Sequence, residues 1–458
     1  MSTAPQRAKG VAGTLAPPGR YLSCLLYLLP VSLLLGTNLP LTEIGGRTLY
    51  IGSNEILIVL LVVGMLGKQP LRRAKTSASS GVLWSVLLFS AVLPVSIVAF
   101  ALKAGGAPSI SSFIETVRWF EYLSILFIVA ALVRTRTQVS RILVILSACF
   151  FVLIAVSIYQ AALFEYVGAR AYGLFVSASD RQGGSESNPN VLGAALMGSG
   201  LFFLAFASSN RTKGRKWFYL ALVLSFVALA LTLSRSAVVG FLIGAVTILL
   251  YQGVSKFRML GGVALSLMAL MGTVFFSESV RDRLLNSFSL QTQTTEALST
   301  LSRLEGAQAT LEGLPKNLWF GVGYGGFEKA FGFLTPDDYY LEILATTGVI
   351  GLGLTLLMFW RIFARVREAM IAGDPQFLVL RSAYLGTLVA FLIANLFSGL
   401  LFNPRLAGLF WLMTGLIFQL TRFEEARVGI RKKRGWLGTV LWPRMVPRTQ
   451  PLSSRTDK

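Results

Sequence analysis

Histidine is missing from all 458 residues. That removes histidine acid–base catalysis, phosphohistidine relays and every histidine-ligated metal or haem site. Cysteine is nearly missing: Cys24 and Cys149 both sit in apolar runs, so neither a disulfide framework nor a zinc-binding thiol cluster is expected. Charge is scarce as well. Charged residues make up 14% of the chain, against about 25% in an ordinary soluble domain. Too little polar surface is left to cover soluble cores, and disorder, collagen and coiled coil are excluded by the same composition. What fills the chain is apolar: 54% hydrophobic residues and a mean hydropathy of +0.66. No metal and no cofactor is expected.

Apolar runs of about 17–25 residues are long enough to cross a bilayer as helices. Twelve are read: 20–36, 51–67, 81–102, 112–133, 141–164, 190–208, 216–233, 236–251, 259–276, 339–360, 378–399 and 405–420. Only Ser234 and Arg235 separate the seventh from the eighth. The first run is followed by Pro40 and further spans rather than by a small-residue cleavage site, so it reads as a span and not as a signal peptide. The fold class expected is all-α, a polytopic integral membrane protein of about twelve transmembrane helices with one large extracytoplasmic loop. Its parts are a cytoplasmic tail over 1–19, a transmembrane domain over 20–420 with the large loop at 277–338, and a basic cytoplasmic tail over 421–458.

The net charge of +21 in a soluble protein would suggest nucleic acid. Counting charges by segment gives a different reading. With both ends in the cytoplasm, the inside segments hold 30 of the 42 Lys and Arg but only 5 of the 21 Asp and Glu. The basic excess is therefore a topology signal and an attraction to anionic headgroups, at roughly 1 kcal/mol per residue near the surface. The run Arg431-Lys432-Lys433-Arg434 reads as a solvated, lipid-facing face, and no nucleic acid is expected as a partner.

Polar residues break the apolar pattern in four places toward the outer face. The segment 165–189 carries Arg181 and ends in Asn188-Pro189-Asn190. Asn-Pro favours a turn and Asn190 can cap the next helix, which explains Asn190 but not Arg181. Arg235, between two long spans, either faces a cavity or snorkels to the interface. The loop 277–338 contains an amphipathic stretch from Glu296 to Leu314 with Arg303, then Gly321-Val322-Gly323-Tyr324-Gly325-Gly326. This matches G-x-G-x-x-G but lacks the preceding strand of a dinucleotide site. A glycine turn bringing backbone close to a ligand or to another helix explains it better. Asp337 and Asp338 then lead into the tenth span through Tyr340 and Glu342. The two aspartates suit helix capping, whereas Glu342 is one turn deeper. In span four, Arg118 lies three residues from both Glu115 and Glu121, so a Glu115–Arg118 pair on one helix face is expected. Arginine forks bind phosphate oxygens bidentately and stay charged in low dielectric. Arg181, Arg235 and Arg303 together therefore suit a lipid diphosphate.

Four pieces in order resemble the O-antigen ligase and O-antigen polymerase family of bacterial envelope glycosyltransferases. They are Arg181 with Asn188-Pro189-Asn190, Ser234-Arg235-Ser236, Arg303 leading to Gly321-Val322-Gly323-Tyr324-Gly325, and Tyr340-Leu341-Glu342 followed by Thr347-Gly348-Val349-Ile350-Gly351. The resemblance covers about 165–360. It implies a fold like that of C-type glycosyltransferases in the bacterial cytoplasmic membrane and an undecaprenyl-diphosphate-linked oligosaccharide as donor. It also implies an inverting, metal-independent transfer at the outer face, with Arg181, Arg235 and Arg303 holding the diphosphate. Arg118, Asn190, Gly323 and Tyr340 are expected to support the site. Membrane lipids, and a chain-length regulator and flippase of the same pathway, are the partners expected.

Ligases of the family typically carry His-Asn just before the Tyr-Leu entry, where this sequence has Asp337 and Asp338. A carboxylate can still activate an acceptor hydroxyl, so Asp337, Asp338 and Glu342 are the candidate bases. This favours a polysaccharide polymerase over a ligase. A flippase would show an inverted repeat and charges near the bilayer midplane, and neither is seen in the sequence. An inactive assembly subunit would have no need of the outer arginines.

Overall fold

The computed structural model describes residues 20–35, 38–44, 47–66, 80–104, 110–164, 189–210, 212–232, 234–253, 305–324, 326–327, 338–372 and 377–428. The described residues form a helical bundle. In chain order its long helices are α1 (Arg20–Leu35), α2 (Ser53–Leu66), α3 (Ser80–Ala104), α4 (Ile110–Leu132), α5 (Arg136–Phe164), α6 (Pro189–Ser208), α7 (Arg215–Leu231), α8 (Arg235–Tyr251), α9 (Tyr339–Ala372), α10 (Leu378–Ala394) and α11 (Pro404–Val428). Five carry stretches long and apolar enough to cross a membrane. The chain is a multi-pass membrane protein. The ninth expected span, 259–276, lies outside the described residues.

One feature is not helical. Asn38–Ile44 and Arg47–Gly52 (β1 and β2) pair antiparallel between α1 and α2, with a register shift between Pro40 and Thr42. Proline cannot donate to a ladder, so an irregularity at this point is its ordinary consequence. The second expected span, 51–67, accordingly starts as a helix only at Ser53. Below, "the hairpin end" means the end of the bundle that carries β1 and β2.

Packing follows the small and aromatic residues. α8 and α10 touch backbone to backbone: a Cβ on Gly244 would meet the Gly386 carbonyl at 2.7 Å, and one on Gly386 would meet the Gly244 carbonyl at 2.7 Å. Small residues at such a crossing let van der Waals contact replace the hydrophobic drive that lipid does not supply. α3, α4 and α11 meet around Trp119. Its ring lies 5.0 Å from Phe89 and 5.9 Å from Trp411, and its Nε1–H donates to Ser90 Oγ at 2.9 Å. At the opposite end Arg381, fully buried on α10, pairs with Glu424 of α11, and Arg365 pairs with Glu425 at 2.6 Å.

α9 is interrupted at Gly348, whose φ of 70° and ψ of −172° leave the helical region. The break separates Ala345 C=O from Val349 N–H, which would otherwise bond to each other. Both are satisfied from outside the helix. Val322 N–H donates to Ala345 O at 2.9 Å, and Val349 N–H donates to Leu318 O at 2.9 Å. Non-helical backbone at membrane depth survives only when protein re-satisfies it in this way. The contact admits no side chain: a Cβ on Gly348 would lie 2.2 Å from Trp319 O, and one on Gly321 would lie 2.4 Å from Thr346 C.

Gly348→Ala is therefore expected to cost at least about 2 kcal/mol, through a φ that alanine rarely adopts and the loss of these two bonds. A Cβ on Gly353, five residues on, meets nothing within 4 Å. Gly353→Ala should be neutral or stabilising by up to about 1 kcal/mol. Unfolding of the purified protein in mixed micelles, comparing the two variants, checks this.

Candidate functional site

Apart from Arg118 and Gly323, the sequence-nominated residues that are described lie in two groups at the hairpin end, and α10 carries both. The first group is the turn from α7 to α8. Arg235 is the first residue of α8 and its side chain is exposed, while Ser234 and Ser236 beside it are buried. The free N–H groups of a helix start add partial positive charge to that of the guanidinium. Ser234 Oγ donates to Asn190 Oδ1 at 2.9 Å. The capping role expected for Asn190 is thereby corrected. Helix α6 already begins at Pro189, so Asn190 lies inside its first turn, and its side chain ties α6 to the α7–α8 turn. The close fit of α6 to this turn also appears at Gly193, where a Cβ would meet Ser234 Cβ at 2.7 Å.

The second group is the entry of α9. Asp338 caps it: Oδ1 accepts from Tyr340 N–H at 2.8 Å and from Leu341 N–H at 3.1 Å. Burial pushes its carboxyl above the ordinary aspartate range, and these two backbone donors pull it partly back. Tyr340 Oη donates to Leu392 O at 2.9 Å, and Tyr339 N–H donates to Asn395 O at 3.1 Å. Glu342 is buried one turn below Asp338. Tyr339 is buried with its ring 4.8 Å from Phe402.

The segment 305–327 lies against this entry. It comprises a helical stretch, 305–313, a 3₁₀ turn at Leu314–Asn317, and tight turns through Gly321 and Gly323. Beyond its bonds to α9 it is held by α3. Ser96 Oγ accepts from Tyr324 N–H at 3.2 Å, and Lys103 Nζ donates to Asn317 Oδ1 at 3.0 Å. Gly323, with a φ of 85°, lies over α3, where a Cβ would be 3.2 Å from Ile97 Cα. The glycines thus serve close approach to neighbouring helices, as expected. Residues 305–320, which lead directly into them, are helix, 3₁₀ turn and turn rather than a strand, so the dinucleotide pattern is a coincidence of spacing.

Both groups converge on one stretch of α10 and the residue after it. A Cβ on Gly240 of α8 would meet Ala390 O at 2.8 Å, while Leu392 and Asn395 receive Tyr340 and Tyr339. Asn395, itself fully buried, also donates to Phe391 O at 2.7 Å and accepts from Leu401 N–H at 3.3 Å. Sequence reading passed over Asn395, because an amide at the end of an apolar run looks like a loop residue.

Arg118 pairs with Glu115 at 3.2 Å, as expected from their spacing. Glu55 of α2 and Arg405 of α11, not nominated from the sequence, lie near that stripe of α4: Tyr122 Oη donates to Glu55 Oε1 at 3.3 Å. An arginine and a glutamate opening apolar helices are the signal that would have found them. Arg181, Arg303 and Asp337 lie outside the described residues.

A polytopic bundle whose carboxylates, tyrosines and exposed arginine gather at one end suits chemistry at a membrane surface on a substrate that reaches it through lipid. Residues 220–356 match the family model described as O-antigen ligase. This is the family that the sequence motifs resemble. The matched segment includes Arg235, Gly323, Asp338, Tyr340 and Glu342. A comparison with curated proteins returns no match.

As the cap of α9, Asp338 should be worth about 1 kcal/mol of stability, lost in Asp338→Ala but retained to within a few tenths in Asp338→Asn. Unfolding of the two variants in mixed micelles at neutral pH measures the difference.

Proposed function

We propose that the protein is a polysaccharide polymerase. It transfers glycan from an undecaprenyl-diphosphate-linked donor to a lipid-linked acceptor at the outer face of the bacterial cytoplasmic membrane, with both termini cytoplasmic and the hairpin end outside. The observation that carries this reading is the pairing of the family match over 220–356 with a carboxylate entry to α9. Asp337 and Asp338 stand where the family's ligases typically have His-Asn.

In the proposed step an acceptor hydroxyl attacks the anomeric carbon of the donor sugar from the face opposite the diphosphate. The new C–O bond forms as the sugar–phosphate C–O bond breaks, so the configuration inverts. The hydroxyl proton passes to a carboxylate, Asp337 or Asp338, with Glu342 the deeper alternative. The electron pair leaves on undecaprenyl diphosphate. Arg181, Arg235 and Arg303 neutralise that leaving group, where charge develops and stabilisation is most effective. A ligase reading differs only in the acceptor, a lipid A core or similar molecule.

Arg235→Ala and Arg303→Ala, in cells that depend on this protein, should abolish long-chain polysaccharide while the protein stays in the membrane. Gel analysis of the glycans and immunoblotting of membranes check both parts, and unchanged chain length and yield would remove the arginines from the site. Loss of a polymerase leaves single repeat units on the final acceptor. Loss of a ligase leaves long chains on the polyprenyl carrier, and loss of a flippase traps repeat units on the cytoplasmic face.

A base must be deprotonated to act, and the Asp338 carboxyl lies above its ordinary value. If Asp338 is that base, transfer should fall as pH drops through a value above the usual aspartate range. Asp338→Asn should lose at least about 100-fold in rate without unfolding. A pH profile of transfer in proteoliposomes reads both. A profile in the mutant that keeps the wild-type acid limb would assign the base to Asp337 or Glu342.

A further inference from the structure

Three carboxylates, two guanidiniums and a phenol gather at the hairpin end, and no step proposed above uses them as a group. Glu115, Arg118, Glu121 and Tyr122 recur at three- and four-residue spacing and form one stripe along the first half of α4. α2 brings Glu55 to the stripe. Its Oε1 accepts from the Tyr122 hydroxyl at 3.3 Å, and its Oε2 accepts from Gly52 N–H. α11 brings Arg405, 8% exposed, near enough for its charge to act on Glu55 and Tyr122. Glu121 interacts with the charges of Glu55 and Arg118. The rim is open, with the side chains of Arg118 and Glu115 33% and 28% exposed, while Tyr122 beneath them is 4% exposed.

A network that only clamps helices would use its acceptors. This one does not: Glu121 Oε1 is buried and has no hydrogen-bond partner among the described residues. A buried carboxylate oxygen without a donor is costly, and ionisable groups inside a membrane are seldom kept without a use. A neutral, hydroxyl-rich molecule would supply that donor. The carboxyl groups are no fewer than the guanidiniums, so no surplus of positive charge is left for an anion. Among the described residues no three His, Cys, Asp or Glu side chains are placed to hold a metal ion. Sugar hydroxyls suit such a set, since carboxylates accept from them and guanidinium and phenol donate to them. Arg405 stands three residues beyond Phe402, across the extended backbone of Asn403, and the Phe402 ring contacts Tyr339 at the α9 entry. The chain thus links the network to the candidate site.

We propose that this network is a sugar-binding subsite, in which Glu121 accepts a hydroxyl of the lipid-linked glycan away from its reacting end. The inference rests on the proposed glycan transfer. The test is equilibrium binding to the purified full-length protein in nanodiscs with two probes: lipid-linked oligosaccharide extracted from the producing cells, and undecaprenyl diphosphate bearing no sugar. Glu121→Gln, which keeps the side-chain shape and exchanges a carboxyl oxygen for an amide nitrogen, should weaken binding of the first probe about tenfold and leave the second unchanged. Tyr122→Phe removes one hydroxyl with little change of shape and serves where Glu121→Gln does not fold, as judged by gel filtration. Arg235→Ala should weaken both probes. If Glu121→Gln and Tyr122→Phe bind both probes as wild type does, or weaken both equally, the subsite is overturned. If Arg235→Ala weakens neither while Glu121→Gln affects only the first, the diphosphate assignment falls and the subsite stands.

Discussion

A bilayer offers no water to a backbone group that loses its helical partner, and Gly348 deprives α9 of one such pair. The carbonyl of Ala345 and the amide of Val349 are handed to Val322 and Leu318 of a segment that lies far from them in the chain. Two consequences follow. The 314–327 segment is fixed on α9 by backbone bonds rather than by adaptable side chains. The Gly-Val-Gly turn and the Thr-Gly-x-x-Gly stretch, which read in sequence as separate motifs, are the two sides of one contact. Glycine is needed on both sides because the space between them is filled by backbone.

The entry of α9 is defined from that contact outward. Asp338 caps the helix, Tyr339 and Tyr340 tie it to the end of α10, and Asn395 holds the following loop. The Ser234–Arg235 turn reaches the same stretch of α10 through the glycine crossing of α8 and through Asn190 of α6. Residues as distant in sequence as Asn190 and Tyr340 are thus held to one rigid helix. A site that has to place a diphosphate and an attacking hydroxyl in register gains from such support, because misplacement of reacting groups is costly in rate.

Much of this was legible from residue pattern alone. Apolar runs gave the helices, because a membrane span needs its full length of apolar side chains. The Glu115–Arg118 pair followed from helical spacing, and the Asp338 cap from its place before an apolar run. The hairpin was not legible: Asn38–Ile44 and Arg47–Gly52 are short, and Pro40 argues against a strand. The role of Asn190 was misread because capping is a local rule, whereas its partner Ser234 arrives from two helices later. Asn395 escaped for the same reason: it looks ordinary in its own segment and acquires meaning only beside Tyr339, dozens of positions away. The same holds for Ser96 and Tyr324. Glu55 and Arg405 carried a local signal, a charge opening an apolar helix, but their shared partner Tyr122 is distant in the chain.

The account reduces to the claim that a lipid-borne diphosphate is held at the hairpin end, by the α7–α8 turn, near the carboxylates that lead into α9. An experimental structure of the protein in nanodiscs with undecaprenyl diphosphate bound tests this most directly. The account predicts density for the diphosphate in contact with the guanidinium of Arg235, on the side of α8 that faces α10 and the α9 entry. Density at the opposite end of the bundle, near Arg381 and Glu424, or on a lipid-facing surface away from Arg235, would contradict it.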